Sequence, residues 1–247
     1  MLYQPLKKGI TPDMTPRLGP ASNHLLAQLP KDEIESISAL LEEVQLPHRR
    51  LLQDMNSAVP FVYFICEGLV SFTKSTGGGE DVETELVGAE GVVGAPLALG
   101  VLTLPCRATV RVAGRAFRLP ASHLLPLMAL NKVFCALLLR YLANSLFEMA
   151  QNVACASRHT IPQRIARWLL TSNDRLGGQT ITCTHDYLSQ ALGVRRAGVT
   201  VELGQMETTG LVQQNRGSLV LKDRARLEAR SCDCYRLSRL SYERVMG

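Results

Sequence analysis

Residues 182–212 read TCTHDYLSQALGVRRAGVTVELGQMETTGLV, and the pattern in this stretch decides the fold. Thr184 supplies a hydroxyl at a helix start, where a side-chain oxygen can satisfy a free backbone N–H. Leu188, Ala191 and Leu192 then recur on one face, and Gly193 can turn with positive φ. A second helix starts near Arg195. Its apolar residues Val199, Leu203 and Met206 follow the i, i+4, i+7 spacing of one face, and Gly210 closes it before Leu211 and Val212 begin a strand. Two helices joined by a short glycine turn form a helix-turn-helix, whose second helix has the diameter of the DNA major groove. An αα-hairpin inside some other helical domain has the same local pattern.

Charge placement bears on that choice. The 247-residue chain carries 27 Lys+Arg and 22 Asp+Glu, a formal net charge of +5. Residues 162–247 hold 13 basic and 8 acidic side chains, while residues 1–161 hold 14 of each, so the whole excess lies with the helix-turn-helix. A basic excess is the electrostatic footprint of a polyanion binder, although a solvated basic face has the same composition. Residues 211–214 and 218–221 flank Asn215-Arg216-Gly217, a hairpin signal that places Arg216 at a wing tip, within reach of backbone phosphate. Gly198 and Gly204 each cost roughly 1 kcal/mol inside a helix, and they permit close approach to DNA or to the preceding helix.

Hydrophobic residues make up 46% of the chain, as in a globular protein of one large or two ordinary domains. No apolar run reaches the roughly 18 residues of a membrane span. Pro5, Pro12, Pro16 and Pro20 mark a loose extension over residues 1–24 that lacks the apolar region of a secretory signal. Seven irregularly placed cysteines suit a reducing compartment better than a disulfide framework, so a cytoplasmic location without membrane association is expected.

Residues 25–44 predict one helix with Ile34, Ile37, Leu40, Leu41 and Val44 on one face. From Leu51 to Leu119 short β-rich runs alternate with glycine turns, including Gly77-Gly78-Gly79, which predicts a small antiparallel roll or barrel. His123 to His159 predict a single long helix with Pro126 in its first turn and an apolar stripe including Leu138, Leu142, Leu146, Met149 and Val153. That stripe is too wide for one small β domain to cover; a second copy of the chain, or the chain's own roll, would cover it. Pro162 begins a further helix burying Ile165, Trp168, Leu169 and Leu170.

VYFICEGLVSF at 62–72, QRIARWLL at 163–170, the helix-turn-helix at 184–212 and CDCYR at 232–236 occur in an order that resembles the Crp/Fnr superfamily of bacterial transcription regulators. The resemblance covers residues 25–240 and is strongest from Pro162 to Val212. It implies an α+β chain with a cyclic-nucleotide-binding-like β-roll (25–122), a dimerisation helix (123–160) and a winged helix-turn-helix domain (161–247). It also implies a homodimer on double-stranded DNA, with RNA polymerase as a further partner. Arg196 matches an arginine that reads guanine in the cyclic AMP receptors, and bidentate arginine on guanine is the commonest specific base contact. Arg195 suits a phosphate, and Thr184, Thr200 and Arg216 complete the expected DNA contacts. Ala197 and Val201 replace a glutamate and an arginine of the family pattern, so an unfamiliar half-site is implied. The competing function is a signalling module whose head contacts a protein.

In the roll, Gly94 is kept from the family's phosphate cradle and Arg107 stands about one residue from the expected arginine, so these two are the candidate effector contacts. Ala95 replaces the ribose-binding glutamate, and Met149 and Ala150 stand near the purine-capping pair. Each lost partner costs roughly 1 to 3 kcal/mol, so cyclic AMP is not expected and no cofactor is predicted. Residues 1–60 lack the clustered cysteines of iron-sulfur relatives. Cys66, Cys106, Cys135 and Cys155 read as packing, the five histidines are scattered, and a lone C-x-C at Cys232 and Cys234 does not define a metal site. No metal ligands are therefore assigned. Oxidation of Cys183, beside the capping Thr184, would disturb the head. No catalytic motif is present, and no enzyme is expected.

Overall fold

A computed structural model describes residues 19–77 and 81–247. Two single turns, Pro20–Ser22 and Leu26–Gln28, precede α1 (Lys31–Ser38), which buries Ile37. The chain then extends as β1 (Glu42–Leu46), so the single helix expected over 25–44 is replaced by a short helix and a strand. The interaction that wins is long-range. β1 pairs with residues 114–118, where Glu42 accepts two hydrogen bonds from the Arg118 guanidinium and Glu43 lies 3.5 Å from Arg115.

Seven more strands complete the roll: β2 (Leu51–Gln53), β3 (Phe61–Ile65), β4 (Leu69–Ser75), β5 (Asp81–Val87), β6 (Val92–Val93), β7 (Arg107–Val112) and β8 (Gly114–Pro120). They form two antiparallel four-stranded sheets, ordered β1-β8-β3-β6 and β2-β7-β4-β5. Leu46, Tyr63 and Ile65 of one sheet share a core with Leu52, Val70 and Val110 of the other. This is the antiparallel roll that the glycine-punctuated runs predict. The expected turn at Gly77-Gly78-Gly79 lies partly outside the described residues.

The continuous helix expected from His123 to His159 is broken into α2 (Ala121–Leu130) and α3 (Lys132–Arg158). Asn131 causes the break: its backbone leaves the helical region, and its side-chain oxygen accepts the Phe134 N–H at 2.8 Å to cap α3. Pro126 accordingly lies inside α2 rather than in a first turn. α3 is long and apolar enough to cross a bilayer, but it buries Phe134, Leu137, Leu138 and Tyr141 in the core that it shares with β3 and β8.

The C-terminal unit contains α4 (Ile161–Arg175), β9 (Ile181–Thr182), α5 (His185–Leu192), α6 (Arg196–Thr208), β10 (Val212–Asn215), β11 (Ser218–Leu221), α7 (Arg224–Arg230) and α8 (Cys234–Met246). Ile165, Leu169, Leu188, Val199, Leu203 and Met206 form its core with Trp168. The last helix runs back along α3 and inserts Met246 into the core behind the roll.

Candidate nucleic-acid interface

Thr184 caps α5 as its sequence position predicts, its hydroxyl oxygen accepting the Tyr187 N–H at 3.1 Å. Gly193 turns with φ +60°, a left-handed conformation strained for residues with a Cβ, and the chain enters α6 directly afterwards. Val199, Leu203 and Met206 lock one side of α6 into the core. The opposite side therefore presents Arg196, Ala197, Thr200, Val201 and Gln205 to solvent.

Arg195 is the N-cap residue, so the helix begins one position later than its neighbourhood suggests. Neither the Arg195 nor the Arg196 guanidinium has a partner among the described residues. Both stand at the positive end of the helix dipole, where exposed N–H groups also favour an anion. β10 and β11 pair from Val212–Leu221 to Asn215–Ser218, leaving exposed Arg216 in the turn, and β9 extends this wing into three strands.

One network here has no local sequence signal. His185 Nδ1 lies 3.0 Å from the Thr200 hydroxyl, and its Nε2 lies 2.7 Å from the Gln214 side-chain oxygen. Gln214 donates through its backbone N–H and side-chain amide to Glu207 at 2.7 and 3.0 Å. A neutral ring with the proton on Nε2 satisfies both contacts, accepting from Thr200 and donating to Gln214. The network fastens α5, α6 and the wing into one unit.

The head docks on the roll through a carboxylate. Glu83 on β5 accepts hydrogen bonds from Trp168 Nε1 at 2.8 Å, Ser71 at 2.6 Å and the Tyr187 hydroxyl at 2.5 Å. Burial pushes its pKa up, against the opposing effect of those donors and of Arg111, which stands 4.5 Å above the Tyr187 ring. Nearby, Glu85 accepts from Ser145 at 2.7 Å, and burial raises its pKa to about 7. Arg175 pairs with Glu90 at 3.0 Å and donates to the Leu86 carbonyl.

Residues 163–230 match the Crp-like helix-turn-helix domain family. FixK2 of Bradyrhizobium japonicum has a similar structure, with 18% identity over 78% of this chain and 98% of that one and a TM-score of 0.68. A Crp/Fnr-family transcriptional regulator of Eubacterium rectale aligns with a TM-score of 0.64 at 16% identity, covering 83% of this chain and 96% of its own. So does the c-di-GMP-responsive regulator CLP of Xanthomonas campestris, with a TM-score of 0.64 at 16% identity, covering 78% and 100% respectively. Residues 163–230 thus carry a Crp-like helix-turn-helix domain, and the chain as a whole shares the fold of these regulators. No sequence among the curated proteins matches it.

The candidate effector residues stand apart from the clefts beside α3. Gly94 has φ +86° at the start of a single helical turn. Arg107 is exposed and already paired with Asp54 at 2.9 Å and Asp81 at 3.4 Å. A cleft of about 380 Å³ between roll, α3 and head is lined instead by Glu83, Glu85, Glu148, Arg164, Arg167 and Arg175, among others. Cys183 is buried and its thiol is pushed up to about 12 by burial, so the redox role envisaged for it lacks a reactive thiolate. The Cys232 and Cys234 pair, in contrast, meets Cys155 of α3 and His159, the C-cap residue of that helix, and their ligand atoms all lie within 4.8 Å of one another. Reading Cys155 as packing and His159 as isolated missed this cluster, because 73 residues separate His159 from Cys232 in the chain.

Proposed function

We propose that this regulator binds a dyad-related DNA site as a cytoplasmic homodimer, with one α6 helix in each of two major grooves about one helical turn apart. The observation that carries this reading is the pair of unpartnered guanidinium groups, Arg195 and Arg196, at the N-terminus of a helix whose other side is fully buried. Arg196 reads a guanine edge, and Arg195 and Arg216 hold backbone phosphates. Thr184 at the α5 N-terminus approaches phosphate, while Thr200 offers its methyl group and oxygen. Val201, 61% exposed, has no polar group to offer and suits the methyl of a thymine.

The seam of the dimer is α3. Leu139, Ala143, Leu146, Ala150 and Val153 follow alternating steps of four and three residues, the spacing of a coiled-coil seam. Leu146 and Val153 are 63% and 71% exposed in the single chain, which is costly for aliphatic groups unless another surface covers them. The domains divide at residues 25–122, 123–160 and 161–247, with RNA polymerase engaged by the DNA-bound dimer. Effectors other than cyclic AMP fit this chain better, since Arg107 is neutralised by two carboxylates. Selection of bound duplexes from a random pool tests the proposal: two inverted half-sites are expected, and enrichment of no sequence or of a single asymmetric site refutes it.

A further inference from the structure

We propose that Cys155, His159, Cys232 and Cys234 form a tetrahedral site for one zinc-type metal ion, which clamps α8 to the end of α3. Cys155 lies in the last turn of α3, and His159, the C-cap residue four positions on, donates its backbone N–H to the Cys155 carbonyl, which keeps the two residues together. Cys232 and Cys234 flank Asp233 at the entry to α8. The sulfur of Cys155 stands 3.6 Å from that of Cys232, and the sulfur of Cys234 stands 3.5 Å from His159 Nδ1.

Zinc bonds of about 2.3 Å to sulfur and about 2.0 Å to nitrogen put tetrahedral ligands about 3.8 Å (sulfur to sulfur) and about 3.5 Å (sulfur to nitrogen) apart. These two edges therefore fit an ion with little movement. The remaining edges, at most 4.8 Å, contract by no more than about 1.3 Å.

The donor set selects the ion. Three thiolates and an imidazole favour zinc over magnesium or calcium, which prefer oxygen. Four protein ligands, three of them buried, leave no open position, as in structural rather than catalytic sites.

Ordinary packing explains the cluster poorly. Cys155, Cys232 and Cys234 form a buried group of their own, which no larger apolar side chain joins. Two neighbours are suited to a thiolate-bound ion. Gln151 donates its amide N–H to the Cys234 sulfur at 2.9 Å. Arg167 lines the same cleft as Cys155, is buried, leaves Nε without a hydrogen bond, and is otherwise held by a long ion pair of 3.9 Å to Glu148 and a hydrogen bond of 3.2 Å to the Ser238 hydroxyl. A divalent ion with three thiolates and a neutral imidazole carries one net negative charge, which gives this buried cation a counter-ion.

Loading is ligand exchange: the ion sheds its waters, three thiol protons pass to the buffer, and no electron moves. The ion joins the end of α3 to the arm that follows the wing. It would thereby fix the head relative to the long helix.

The test uses the reduced full-length chain with cobalt(II) and zinc(II) as probes. One equivalent of cobalt is expected to give the intense visible bands of a tetrahedral site with sulfur-to-cobalt charge transfer, and one equivalent of zinc to displace it. Cys155→Ser and Cys234→Ser are each expected to lower zinc affinity by more than about 100-fold, beyond the effect of losing a group that only hydrogen-bonds a ligand. Cys135→Ser should leave it unchanged. Should a ligand variant fold poorly, the spectrum of the unaltered chain still decides. A weak six-coordinate cobalt spectrum, absence of binding, or a Cys155–Cys232 disulfide in anaerobically purified protein would overturn the proposal.

Discussion

The hydroxyl of Tyr187, in the first turn of α5, lies 2.5 Å from the Glu83 carboxylate of the β-roll. The helix-turn-helix head and the roll thus meet at one shared acceptor. Trp168 and Ser71 donate to the same side chain, which thus accepts from three donors at once. Tyr187→Phe removes one of these three hydrogen bonds and is expected to cost about 0.5 to 1.5 kcal/mol. Urea unfolding followed by the fluorescence of Trp168, the single tryptophan, reads that loss. An unchanged midpoint would show that the head is held elsewhere.

Glu85 makes the stability of the fold pH-dependent. Burial raises its pKa from 4.5 to about 7, opposed by the Ser145 hydrogen bond and Arg175 and reinforced by Glu90 and Glu148. The folded state therefore holds a proton that the unfolded chain releases near pH 4.5. This contribution is fully present below about pH 4.5 and is lost as pH rises through about 7, a change of up to about 3 kcal/mol. Glu85→Gln is expected to flatten the decline in stability between pH 5 and pH 8, as read by urea midpoints across that range. A slope equal to that of the unaltered chain would count against it.

The α3 seam predicts an assembly phenotype. Leu146 is largely exposed in the single chain, so Leu146→Glu should change monomer stability by no more than about 0.5 kcal/mol. Across a two-fold seam it places like charges against each other. Sedimentation velocity is expected to show a dimer for the unaltered chain and a monomer for the variant. A dimer in both would move the interface elsewhere.

Arg216 at the wing tip should act through phosphate rather than through bases. Arg216→Ala is expected to weaken binding about equally for specific and random duplexes and to reduce the slope of log affinity against log salt by about 1. Titrations at several salt concentrations measure both quantities. A loss confined to one sequence would assign Arg216 to base reading.

What the sequence discloses follows from the range of the interactions. Thr184, Gly193, Val199, Leu203 and Met206 act within one or two helical turns, so spacing alone places the helix-turn-helix. Glu42–Leu46 becomes a strand because of partners about 70 residues away, and Asn131 ends a helical run by capping the next one. Neither event has a local signature strong enough to outweigh helical spacing. Glu83 with Tyr187, His185 with Gln214, and Cys155 with Cys232 are likewise contacts between distant segments. Only the folded chain brings them together.

Binding of the selected duplex by the unaltered dimer and by Arg196→Ala, at one fixed salt concentration and with each base of the half-site varied in turn, decides whether α6 reads DNA. The expected result is a loss of about 1 to 3 kcal/mol on the preferred site, with discrimination relaxed at a single guanine position. Equal affinity and an unchanged base preference in the two proteins would contradict it.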